Sequence, residues 1–210
     1  FLYNPARVTF VANSGDATTA NNVACNAGEP ALTLNPGRVD PNNAAFADSR
    51  KPLAGEFVFN GKTIFVIGVH FSSKGGDDPL MGFAQPPILA SEADRIAQAQ
   101  VVNNFVDSIL ACNADANVLV AGDVNDFEFS PPVNALKGGV LNNLLDLLPA
   151  NERYSYVFRG NSQVLDQILV SNNLFNAMSP EYDVVHVNAE FAPNIQVSDH
   201  DPSVARFTFS

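Results

Sequence analysis

The chain has 210 residues and 22.4 kDa, 46% of them hydrophobic with a mean hydropathy of +0.03, which suits one domain with a sizeable core and excludes a disordered tail or a membrane-embedded bundle. Eleven basic against 22 acidic residues leave a net charge of −11 and a pI near 4.4, the wrong sign for binding nucleic acid through a broad basic face. No apolar run approaches the ~20 residues of a spanning helix.

In chain order, Leu2 to Ala12 is predicted as a strand, with Val8, Phe10 and Ala12 alternating after the turn-forming Asn4-Pro5. Residues 13–51, rich in Asn, Ala, Gly and Pro, are predicted as one long loop. Gly55 to Asn60 and Thr63 to Phe71 flank an Asn60-Gly61 turn and predict a hairpin whose second strand ends at His70. A second loop, 72–90, leads to Ser91, placed to cap a helix running to about Cys112. Its residues Ile96, Ala99, Val102, Phe105, Val106, Ile109 and Leu110 recur at helical spacing.

An apolar run, Val118-Leu119-Val120, predicts a buried strand ending in Asp123, Asn125 and Asp126. A loop with Pro131-Pro132, a short amphipathic piece near 141–148, and strands near 154–158, 164–170, 182–187 and 204–209 complete the pattern. Strands dominate, and helices do not alternate with them strictly. The expected class is therefore α+β, with mixed sheets packed on each other and helices outside. Cys25 and Cys112 match no metal-ligand spacing; a disulfide and two free thiols remain equally open. Pairing would fit an extracellular setting.

The chain lacks a Gly-x-Ser-x-Gly elbow, a phosphate-cradling Gly-Lys-Ser/Thr loop and a His-Glu-x-x-His helix. Asp123-x-Asn125 is not a calcium loop either, because Glu128 stands where that loop needs glycine. Four short motifs remain: Gly68-Val69-His70-Phe71, Gly122-Asp123-Val124-Asn125-Asp126-Phe127, Leu165-Asp166-Gln167-Ile168 and Ser198-Asp199-His200-Asp201-Pro202. In order and residue type they resemble the endonuclease/exonuclease/phosphatase superfamily, and the stretches around His70, Asp123 and Tyr154 look closest to its secreted bacterial nucleases.

That resemblance implies a four-layer α/β/β/α sandwich, two mixed sheets face to face with flanking helices, and a metal-dependent phosphodiester hydrolase, secreted or periplasmic. It implies His200 as the base that activates water, Asp166 as its partner, Asp199 and Asp123 as metal contacts, Asn125 as a donor to the phosphoryl oxygen, and His70 at the phosphate or leaving group. Such roles suit these residue types, since a carboxylate fixes a histidine's tautomer and stabilises its imidazolium. The implied cofactor is Mg2+, with Mn2+ or Ca2+ as substitutes, and the implied partner is nucleic acid or another phosphodiester. Arg50, Lys74 and Arg159 are candidate substrate contacts. Tyr156 and Phe158 are candidate base-stacking residues, more simply read as core. His186 is left structural.

The family's opening asparagine, its metal-binding glutamate and the acidic partner of the first histidine correspond to positions before Phe1. Residues 1–210 are thus expected to be the C-terminal portion of a single domain, N-terminally incomplete, with the missing segment of the same protein as a possible partner. Gly68 and Gln167 also depart from the family pattern. A phosphomonoesterase, a lipid phosphodiesterase and a non-catalytic binding module are the competing expectations.

Overall fold

A computed structural model describes residues 1–209. The N-terminal stretch pairs only through β1 (Val8–Thr9), because the Asn4 carbonyl and side chain bend the chain into a turn that occupies the preceding residues. The expected loop 13–51 contains a hairpin, β2 (Val23–Asn26) and β3 (Glu29–Leu32), and a short β4 (Gly37–Arg38). Its Ala27-Gly28 turn has positive φ at both residues, the geometry that matches strand twist. The polar composition of the segment concealed it.

Next comes the predicted hairpin of β5 (Leu53–Phe59) and β6 (Lys62–His70), then helix α1 (Glu92–Cys112), strand β7 (Asn117–Asp123) and helix α2 (Pro131–Lys137). The Pro131-Pro132 pair opens α2 instead of forming a loop, since proline is tolerated in a first helical turn where the missing N–H has no intrahelical partner. Short strands β8 (Leu141–Asn143), β9 (Tyr156–Phe158) and β10 (Asn161–Gln163) precede β11 (Asp166–Ser171), α3 (Asn172–Ala177), β12 (Glu181–Val184) and β13 (Ser203–Arg206).

The main sheet has the order β1-β5-β6-β7-β11-β8, with β4 also on β5. Only β6 and β7 are parallel, joined through α1 as a crossover. Alternation sends Phe65, Ile67, Val69, Val118, Val120 and Leu169 to one face. There they meet the α1 stripe of Ala99, Val102, Phe105, Val106 and Ile109, with Val133 and Leu136 of α2. On the opposite face Val170 and Ile168 pack with Leu144, Leu145, Tyr182, Val184 and Phe207 around the small β12–β13 sheet. The result is the expected α+β sandwich of mixed sheets.

Cys25 and Cys112 form a disulfide that ties β2 to the end of α1 across 87 residues of sequence. Among the described residues, no helix is long and apolar enough to cross a membrane.

Candidate active site

Register builds the site. His70 pairs with Asp123 across β6–β7, and Asp123 with Asp166 across β7–β11, so three of the candidate side chains form one row on one face where those strands meet the loops. His70 Nε2 lies 3.5 Å from Asp123 Oδ2. Gly122 permits the last step of β7: its φ is +143°, and a Cβ there would sit 2.0 Å from the Val69 carbonyl oxygen. No other residue type fits that approach.

His200 comes from the far end of the chain. An isolated bridge pairs it with Tyr156, whose ring centroid is 4.8 Å from the imidazole, and its Nδ1 is 2.6 Å from Asp166 Oδ2. With Nδ1–H donated to that carboxylate, Nε2 is left as the acceptor. The Asp166 hydrogen bond raises His200 above its ordinary value against the opposing effect of burial; the charges of Asp166, Asp123 and Asp199 add to the rise. Ser155, fully buried, donates its hydroxyl to the same Asp166 oxygen at 2.7 Å and accepts the Leu165 and Asp166 amides. It therefore fixes the aspartate that fixes the histidine.

Asn125 adopts a left-handed φ of +55°. Its backbone N–H donates to Asp123 Oδ1 at 2.8 Å, while its side-chain amide donates to Asp123 Oδ2 and to the Phe71 carbonyl. Both amide hydrogens hold the two strand ends together, so a role as phosphoryl donor would require Asn125 to release one of them. Burial, and then the charge of Asp166, push the Asp123 carboxyl above its ordinary range.

Beneath the row lies a network the sequence reading missed. Arg95, fully buried in the first turn of α1, donates to Asp126 at 2.7 Å and Asp77 at 2.9 Å, and also to the Ser91 hydroxyl and the Ser73 carbonyl. The Ser91 side chain consequently serves Asp77 and Arg95 and makes no helix-capping bond. Gln98 braces the Ser72 amide and hydroxyl. A charged residue four and seven positions before Ala99 and Val102, on the buried stripe of α1, was the available signal. Ser155 carried none.

Of the candidate substrate contacts, Lys74 turns inward to Asp126 at 3.2 Å and covers the Phe127 ring, Arg159 lies over Phe158, and Arg50 is exposed with no hydrogen bond or ion pair among the described residues. Tyr156 and Phe158 are not core; Phe158 is 46% exposed. Gln167 points to the helix face, opposite Asp166, and bonds the Asp126 carbonyl and Asn143. His186 stacks on Tyr154 and meets Asp201 at 3.1 Å, away from the row. Asp199 is exposed beside His200.

Asp123, Asp166 and His200 each offer a ligand atom within 4.8 Å of the others, the group of this kind found among the described residues. With His200 Nδ1 engaged by Asp166, the donors are carboxylate oxygens, which suit a hard divalent cation. A cation beside Asp123 would oppose the burial and the Asp166 charge that raise its carboxyl.

Three solved structures of similar fold are a functionally unknown conserved protein from Enterococcus faecalis (16% identity, TM-score 0.62, covering 100% of this chain and 70% of that one), D. rerio TDP2 complexed with single strand DNA product (17%, 0.56, 98% and 70%), and mannosyl-6-phosphatase from Bacteroides thetaiotaomicron (16%, 0.56, 99% and 69%). At these identities the likeness is one of fold. No curated protein matches the sequence. A profile of the endonuclease/exonuclease/phosphatase family, however, matches residues 37–201, a span that holds His70, Asp123, Asn125, Asp166, Asp199 and His200. The chain belongs to the endonuclease/exonuclease/phosphatase family.

Proposed function

We propose that this protein is a metal-dependent phosphodiester hydrolase acting as a nuclease. The observation that carries the reading is the Asp166–His200 pair at 2.6 Å, set one strand from Asp123 and in register with it. His200 Nε2 takes a proton from water as the water attacks phosphorus, and Asp166 stabilises the imidazolium that forms. His70, 41% exposed at its side chain, faces the same row and protonates or stabilises the leaving oxygen. A divalent cation held by the Asp123 and Asp166 carboxylates would supply positive charge for the phosphoryl oxygens when bound; Asp199, expected as a ligand, lies outside that group.

The Cys25–Cys112 disulfide favours an oxidising compartment, and with it a secreted or periplasmic protein. The fold alone does not choose the substrate, because TDP2 with a DNA product and a sugar phosphatase share it. Plasmid DNA, a nitrophenyl phosphate monoester and sphingomyelin, assayed side by side with Mg2+, decide among the esters. Wild type is expected to cleave DNA with loss in EDTA, and His200→Ala to fall on the order of 10²-fold or more. Equal cleavage by wild type and His200→Ala removes the assignment.

A further inference from the structure

The structure holds two ladders of aromatic rings, one in contact with the catalytic row and one just after Asn125 in the chain, and the hydrolytic chemistry uses neither. The first begins at His200: Tyr156 lies 4.8 Å from its ring, and Phe158 follows 6.4 Å farther on and nearly parallel to Tyr156 at 13°. It ends with the Arg159 guanidinium 5.1 Å over Phe158. The second begins two residues after Asn125, where Phe127 and Phe129 stack 5.5 Å apart at 6°. Lys74 lies 4.6 Å over Phe127. Each ladder carries a cation and finishes on a ring open to water; the first touches His200, and the second follows Asn125 in the chain. Phe129 is 68% exposed and Phe158 46%.

We propose that these ladders are base-stacking platforms and that the substrate is a single-stranded polynucleotide. The proposal rests on the phosphodiesterase reading of the same site and names its substrate class. In a duplex the base faces are hidden within the stack, so flat rings offered to solvent can engage only bases already unstacked. Net charge points the same way. A chain at −11 cannot hold a duplex chiefly by phosphate contacts, whereas stacking needs no charge complementarity. The local cations are few: Arg159 makes no ion pair among the described residues, and the charge of Lys74 is shared with Asp126 at 3.2 Å. A phosphate monoester by itself offers these rings no π face to stack on.

The test is fluorescence anisotropy of a labelled oligothymidylate with the intact chain in EDTA, where turnover is blocked. Phe129→Ala and Phe158→Ala are each expected to weaken binding roughly 5- to 150-fold, the range for loss of one stacked base. Phe129→Leu keeps the apolar bulk without the π face and is expected to weaken it too. Phe83→Ala, at an exposed phenylalanine outside both ladders, serves as control and should bind as wild type does. A blunt duplex of the same length should bind more weakly than the single strand. Wild-type affinity should fall with salt along a shallow slope of about −0.7 to −1.4, the value for one or two phosphates.

Unaltered affinity in both alanine variants, equal affinity for duplex and single strand, or no binding by wild type overturns the proposal. Hydrolysis of bis(p-nitrophenyl) phosphate by wild type with Mg2+ is measured alongside. Its absence, with oligothymidylate binding intact, would reject the phosphodiesterase reading and leave the stacking surface standing; its presence with no oligothymidylate binding would do the reverse.

Discussion

Arg95→Met removes a guanidinium that has no access to water and two carboxylate partners that are themselves buried. Breaking such a pair from one side leaves charges uncompensated and typically costs about 3–5 kcal/mol. Here the stranded groups keep other donors. Asp77 retains the Ser91 amide and hydroxyl, both at 2.7 Å, and Asp126 retains Lys74 at 3.2 Å and the Phe127 amide at 3.0 Å. The loss therefore falls toward the lower end, about 3 kcal/mol. For a chain of this length that is a fall in melting temperature of roughly 6–12 °C. Thermal unfolding followed by circular dichroism, with the disulfide intact, measures it. Adding Asp126→Asn to Arg95→Met should restore part of the stability, since it removes one of the stranded charges. Under the proposed function, DNA cleavage by the folded Arg95→Met protein should also fall, because Asp126 anchors the turn that sets Asn125 against Asp123. Unchanged melting, or a double variant less stable than Arg95→Met alone, would refute the reasoning.

Replacing Cys25 and Cys112 together by serine opens a link that closes 87 residues and should lower stability by about 2–5 kcal/mol. Urea unfolding midpoints of the oxidised, reduced and serine forms check this; coincident midpoints for all three would contradict it. Asp77 predicts a pH effect of definite sign. Burial acts to raise its carboxyl, but the Ser91 amide, the Arg95 guanidinium and the Ser91 hydroxyl outweigh that and hold it below the ordinary range. Its contribution is thus complete above the unfolded value of about 3.9 and is lost as pH falls through the lower folded one. Asp77→Asn should be less stable than wild type at neutral pH, with the gap narrowing below about pH 4. A constant gap in urea titrations down that range would show that the carboxylate charge is not what Asp77 contributes.

Much of the site was legible one strand at a time. His70 and Asp123 each stand at the end of an apolar run before a polar loop, Asp166 lies within the predicted strand 164–170, and the Asn60-Gly61 turn fixed the hairpin that presents His70. Arg95 was overlooked because a helix of strong apolar periodicity draws attention to its apolar positions, and a charged residue on that stripe looks like an interruption. Ser155 was invisible: a lone serine before a short strand has no pattern, and its importance comes from a hydroxyl placed 2.7 Å from Asp166. The β2–β3 hairpin and α2 were missed for local reasons, polar strand composition in one case and a Pro-Pro opening in the other.

From residue order alone came the kinds of groups available, the strands that carry them and the family pattern linking them. Side-chain alternation and apolar run length depend only on neighbours in the chain. Which strands lie side by side, and in what register, depends on contacts between residues far apart in the chain. Only the folded chain could therefore align His70 with Asp123 and Asp123 with Asp166, join His200 to Asp166, pair Cys25 with Cys112 and turn Lys74 inward.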